Sequence, residues 1–214
     1  MSEIGLFPLG IVLLPTELVP LHIFEERYRE LIGECLAEDS EFGILLADDE
    51  GPRQVGTRAA ITEVLERFDD GRLNIVIEGR ARFRVVAATD GRSFDTAEVE
   101  PVEDEDETEV GDPEDVERAL SLFAKLLELT GTEIEPPDAA TPQLSYAVAA
   151  RFEFVPPLKQ ELLEERSERV RLKRLCGLLE GAAETLERER EIAARAATNG
   201  KVQPRDPSGA EGEA

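Results

Sequence analysis

The stretch "GRLNIVIEGRARFRVVAAT", Gly71–Thr89, carries apolar residues at every second position, first through Leu73, Ile75 and Ile77 and then through Ala81, Phe83 and Val85. A period of two sends successive side chains to opposite faces, so the spacing predicts a long strand with one buried face. Gly79 stands where the pattern resumes, as expected of a bulge or a corner in a strongly curved sheet. The pieces on either side, "EFGILLA" (Glu41–Ala47), "VGTRAAITEVLERF" (Val55–Phe68) and "SFDTAEVEPV" (Ser93–Val102), are also strand-rich. They are separated by "DDEGPRQ", "DDG" and "DGR", residues that turns require. A closed or half-closed barrel is the expected result.

Upstream, Leu6–Leu14 reads as a first apolar strand, Pro15–Pro20 as a bend around "TEL", and "VPLHI" as a return to extended chain, because each proline biases its predecessor toward β. A secretory signal needs basic residues ahead of its apolar run, and here only Glu3 precedes a run broken by Pro8, Gly10 and Pro15. The same breakers exclude a membrane-spanning helix from this opening. From Phe24 the spacing Phe24, Tyr28, Leu31, Ile32, Cys35, Leu36 predicts an amphipathic helix with Glu25, Glu26, Arg27, Glu30 and Glu34 outside.

Past residue 102 the pattern changes. "EDEDETE", Glu103–Glu109, has six acids in seven residues. It lacks the oxygen series and central glycine of a calcium loop and reads as a solvated linker. Asp112 as N-cap, Pro113 at the first helical position and Gly131 as stop bound the next helix. A further helix is expected with Thr141 as N-cap and Pro142 at its first position, another in "PPLKQELLEER", and a last one capped by Ser167. There Leu172, Leu175, Leu179, Ala182, Leu186 and Ala193 approximate a heptad seam. Within it "RVRLKR", Arg169–Arg174, is a basic island that exposed helical ion pairs, an acidic partner or the protein's own linker can neutralise. The fold class is therefore α+β: a β-rich unit over 1–102 containing one helix, an acidic linker over 103–111, a helical bundle over 112–197 and a disordered tail over 198–214.

Composition narrows the function. The 214 residues carry 48 acidic and 24 basic side chains, a formal charge of -24, which opposes nucleic acid and anionic membrane surfaces as partners. Cys35 and Cys176 lie far apart with no CxxC spacing and read as buried thiols of a cytoplasmic protein. His22 is the only histidine and sits in an apolar context, so no nucleophile–base pair is expected. No phosphate-binding glycine motif occurs, and no cofactor, metal or catalytic role is expected. Binding remains, and the apolar, proline-punctuated opening is its most unusual surface.

"FPLGIVLLPTELVPLHIFEERYREL" (Phe7–Leu31), "VGTRAAITEVLERFDDGRLNIVIEGRARFRVV" (Val55–Val86) and "LSYAVAARFEFVPPLKQELLEERSERVRLKRLCGLLE" (Leu144–Glu180) together resemble the N-terminal substrate-binding domain of Lon proteases, over roughly residues 5–185. The last stretch includes the family's K-Q-x-L-L-E run at Lys159–Glu164. The resemblance implies a PUA-like β pseudobarrel followed by a helical bundle, without the family's ATPase and Ser–Lys protease modules. It also implies binding of unfolded or hydrophobic polypeptide segments, with a protease or chaperone as a further partner. The contact surface is expected at Leu18, Val19, Phe24, Glu26, Arg27 and Tyr28, and self-association is expected of the long last helix. An alternative reading gives the barrel a small-molecule ligand or RNA, the latter opposed by the charge.

Overall fold

The computed structural model describes residues 2–199, with side chains through 195. In chain order it contains β1 (Ser2–Leu9), β2 (Leu18–Ile23), α1 (Glu26–Glu38), β3 (Phe42–Asp48), β4 (Gly51–Pro52), β5 (Val55–Arg67), β6 (Leu73–Thr89) and β7 (Thr96–Pro101). The helices α2 (Pro113–Thr130), α3 (Leu144–Ala149), α4 (Pro156–Glu164) and α5 (Glu168–Asn199) follow. Strands come first and helices second, the order of an α+β chain.

β6 is the organising strand. Its first half pairs antiparallel with both β2 and β5, and its second half with β7. The sheet then runs β1-β7-β6-β5-β3, and β1 also pairs in parallel with β3, through Leu6 opposite Gly43 to Leu9 opposite Leu46. The pairings thus return to their start and the sheet closes on itself, which removes the edges of β1 and β3. β2 lies off this ring and pairs only with β6 among the described residues.

Inside, Ile23, Phe42, Ile44, Ala59, Leu73, Ile75 and Ile77 pack with Tyr28, Leu31, Ile32 and Cys35 from α1. Ile4, Leu6, Leu45, Phe83, Ala97 and Val99 fill the other end. The third cluster joins the two parts of the chain: Val12, Leu14, Leu46 and Val55 pack with Phe123, Tyr146, Leu162, Leu163, Leu172, Leu175 and Leu179 of the helices.

Several expectations shift. β1 starts and ends earlier than Leu6–Leu14, because Val12 and Leu14 are buried against the helices, and Leu13 in the core of the sheet, rather than paired as strand. An apolar run looks the same in either setting. α1 begins at Glu26, after Glu25 in extended conformation, which leaves Phe24 outside it. Ala81 is exposed where β6 has left β2 and not yet met β7, whereas Arg82 is buried. The helix expected after Thr141 and Pro142 starts at Leu144, because Gln143 takes a left-handed conformation (φ 53°) and donates from Nε2 to Asp104 Oδ2 at 3.0 Å. α2 begins at Pro113 after Asp112, and Gly131 (φ 68°) closes it. Ser167 caps α5, its Oγ accepting from the Val170 N–H at 3.2 Å. The seam of α5 is buried at Leu172, Leu175 and Leu179, half-buried at Leu186 and exposed at Ala193. Helix continues to Asn199, and the rest of the tail expected over 198–214 lies outside the described residues.

Candidate functional site

β2 enters the sheet through a bulge of its own, opposite the β6 glycine at which the sequence places an irregularity. The Thr16 N–H donates to Gly79 O (2.8 Å) and the Gly79 N–H to Glu17 O (2.9 Å), so two residues of the incoming chain face one of β6. This bulge belongs to Thr16–Glu17, with Thr16 at φ 68°, and presses on Gly79, while β6 carries the expected irregularity against β5, an extra residue between the pairs Ala59–Gly79 and Thr57–Arg82. A Cβ at position 79 would stand 2.0 Å from Leu14 O. Beyond the bulge the register is regular, Leu18 opposite Glu78 through Ile23 opposite Leu73.

Alternation then sorts the strand. Val19, Leu21 and Ile23 turn into the core, while Leu18, Pro20 and His22 face out, and Phe24 continues their row just past the strand. Leu18 is 63% and Phe24 61% exposed. His22 stacks on Phe24 with ring centroids 6.0 Å apart and meets the edge of Phe68 at 5.9 Å. Its Nδ1 lies 2.7 Å from Asn74 Oδ1, and Asn74 Nδ2 donates to Glu66 Oε2 at 3.0 Å. The result is an exposed apolar row on a strand with one unpaired edge.

Of the residues expected at the contact surface, Leu18 and Phe24 are on this row. Val19 is half-buried beneath it, and Glu26 and Arg27 are exposed at the start of α1. Tyr28 is core: its ring stacks on Phe7 at 3.8 Å, the Arg27 guanidinium sits 4.4 Å from its centroid, and burial raises its phenol pKa. Arg27 is held by Glu25 at 3.1 Å and Asp95 at 3.9 Å. Pro20, His22 and Phe68 were not anticipated. Counting every second residue back from Phe24 finds the first two; Phe68 comes from a distant turn.

The most heavily buried charges lie elsewhere, at the junction of sheet and helices. Asp104, from the acidic run read as solvated, is buried. It accepts from Arg82 and, at 3.1 and 2.9 Å, from Arg171, the centre of the basic island. Arg171 also donates to Glu168 (2.7 Å) and Ser145 Oγ (2.7 Å), and lies 4.1 Å from the Tyr146 ring centroid. Arg82 further donates to Leu163 O (2.8 Å) and Glu165 O (2.7 Å). A second buried pair joins Lys159 Nζ to Glu17 Oε1 at 2.6 Å. Every one of these donors and acceptors is spoken for, which marks a structural clamp. The island's outer members do form exposed pairs, Arg169 with Asp112 and Arg174 with Glu161.

Other reactive groups are withdrawn. Both cysteines are buried; burial raises the Cys35 thiol pKa and pushes that of Cys176 up to about 11, so both are held as thiols rather than nucleophilic thiolates. Among the described residues no group of three or more His, Cys, Asp or Glu is arranged to hold a metal ion, and no helix is long and apolar enough to cross a membrane.

The fold is that of a Lon-type substrate-binding domain. Residues 3–181 match the family model described as the ATP-dependent protease La (LON) substrate-binding domain, and the chain belongs to that family. It is 30% identical over 203 residues to the Lon protease of Brucella melitensis biotype 1, covering 86% of this chain and 24% of that protein. It is 28% identical over 200 residues to Lon protease 2 of Myxococcus xanthus, again spanning 24% of its length. Among solved structures, the Lon N-terminal domain protein from Xanthomonas campestris aligns with a TM-score of 0.67 at 27% identity, over 83% of this chain and 98% of that one. The N-terminal domain of the Mycobacterium avium complex Lon protease shares the fold, with a TM-score of 0.59 at 19% identity and coverage of 84% and 98%.

Proposed function

We propose that this chain is a non-catalytic recognition module that captures exposed hydrophobic or unfolded polypeptide segments, acting beside a protease or chaperone. Its closed sheet is read as a PUA-like pseudobarrel and its helices as a supporting bundle. The observation that carries the proposal is the outward row Leu18, Pro20, His22 and Phe24 on β2, an apolar surface next to an unpaired strand edge. Soluble domains bury or blunt such features unless something binds there. Leu18 and Phe24 supply contact and Glu26 and Arg27 the polar border, while Val19 and Tyr28 hold the row in place from the core side. Two prolines in the bend preorganise the backbone and lower the entropy lost on binding.

A cellulose-bound peptide array probed with wild type and with a Leu18→Asp/Phe24→Asp variant tests this. Both substitutions fall on exposed positions, so circular dichroism should show an unchanged fold. Capture of apolar peptides by wild type and its loss in the variant would support the reading; equal capture by both would move the site elsewhere. The small-molecule alternative has its own location, a cleft of about 360 Å³ floored by Leu6, Leu45, Val85 and Ala97. Ligand-induced thermal shifts abolished by Ala88→Trp, at an exposed position lining the same cleft, would favour it.

A further inference from the structure

We infer that the segment taken by this face is extended and cationic: a short apolar stretch flanked by Lys or Arg, added as a strand along the free edge of β2. The inference rests on the peptide-binding reading above and names the chemistry of its ligand.

The strand geometry gives the first half. Glu17 O bonds Gly79 N, so by antiparallel alternation Val19, Leu21 and Ile23 direct their backbone groups toward β6. Leu18, Pro20 and His22 direct theirs to the other side. Pro20 has no N–H to lose there, which is where an edge strand tolerates proline. The unpaired edge therefore offers the N–H and C=O of Leu18 and His22 and the C=O of Pro20. An extended chain satisfies that set, and its alternate side chains would lie along the row ending at Phe24.

Charge gives the second half. On the outward face Pro20 is in register with Val76 and Glu63, and His22 with Asn74 and Glu66. Glu63 and Glu66 are exposed, and Glu66 leans toward β2 through its bond from Asn74. Glu26 stands exposed two residues beyond Phe24, at the start of α1. None of these three carboxylates pairs with a cation among the described residues. The nearby arginines are already engaged: Arg27 with Glu25, Arg72 with Asp70 and Arg80 with Glu78. Arg67, at the end of β5, and Arg29 of α1, whose Nη1 donates to Asp70 O at 2.7 Å, are opposing cations that form no ion pair among the described residues. With the whole chain at -24, both the local and the distant field favour a basic segment and repel an acidic one.

Fluorescence anisotropy on the full chain with three labelled peptides sharing one apolar core, flanked by Lys, Ser or Glu, would decide this. The Lys-flanked peptide is expected to bind about tenfold more tightly than the Glu-flanked one, with the ratio shrinking as salt screens the charges. A Glu26→Gln/Glu66→Gln variant should cut that ratio about fivefold. N-methylation of alternate amides in the Lys-flanked peptide should abolish binding in one register only. Equal affinity for Lys- and Glu-flanked peptides would overturn the cationic class while leaving peptide capture standing. Indifference to N-methylation would overturn strand addition. Failure of a folded chain to bind any of the three, Ser-flanked included, would overturn this inference together with the function it rests on.

Discussion

Phe24 and Tyr28 are aromatic residues four apart, and the fold treats them oppositely. Phe24 precedes α1 and is 61% exposed, whereas Tyr28 is 4% exposed and stacked on Phe7. Helical spacing from Phe24 placed both on one buried stripe; the extended conformation of Glu25 cuts Phe24 from the helix and hands it to the row of β2. Tyr28→Ala should therefore cost about 3 kcal/mol or more in urea denaturation, since it empties a core site. Phe24→Asp should change stability by less than about 0.5 kcal/mol. Thr16 occupies a bulge conformation suited to glycine, so Thr16→Gly is expected to raise stability by about 1 kcal/mol in the same measurement. Gly79→Ala should lower it by more, because its new methyl meets the Leu14 carbonyl. The glycine was legible as an irregularity of β6, and against β5 it stands beside one; the second bulge, at Thr16–Glu17, depends on the residues opposite, and no local pattern supplies those.

Among the elements, the segment after β7 departs furthest from its composition. Six acids in seven residues describe solvated chain, yet Asp104 is withdrawn between β6 and α5. Composition cannot say which acid turns inward. Glu168 and Arg171 carried a signal, falling on the stripe of Leu172, Leu175 and Leu179 by helical spacing, whereas Arg82 stands at an intervening position of the Ala81, Phe83, Val85 alternation and carried none. Burial alone would raise the Asp104 pKa, but the hydrogen bonds and charge of Arg171, with Arg82, hold it below the usual carboxylate range. A depressed folded value means that the stabilisation is complete above the unfolded pKa of about 3.9 and is lost as pH falls through the folded one. Denaturant titrations over a pH series should show wild-type stability falling below about pH 4, with a shallower fall in Asp104→Asn. Asp104→Ala at neutral pH should cost about 3–5 kcal/mol, because it strands two buried guanidinium groups.

Across the whole molecule, the clamp and the Lys159–Glu17 pair tie helices to sheet, and Val12, Leu14, Leu46 and Val55 share the helical core. The two parts should consequently unfold together. The chain holds two tyrosines and no tryptophan, one tyrosine in each part, so Tyr28→Phe and Tyr146→Phe variants isolate each part's fluorescence. Their denaturation midpoints are expected to coincide; separated midpoints would reveal two independent units. The division into strands and then helices was readable because periodicity is local. The strand order was not, since it depends on pairings between residues far apart in the chain. The binding row was half readable: its apolar character stands in the text, while its outward direction follows from the bulge.

The closure of the sheet has a consequence for synthesis. β1 leaves the ribosome ahead of both strands it pairs with, and it acquires its partners only when β3 and finally β7, ending at Pro101, have emerged. At roughly 5–20 residues per second, Ile4, Leu6 and Phe7 wait on the order of 5–20 s without their full lattice of hydrogen bonds. A nascent chain of this design is, for that interval, itself an exposed apolar segment of the kind its finished form is proposed to capture.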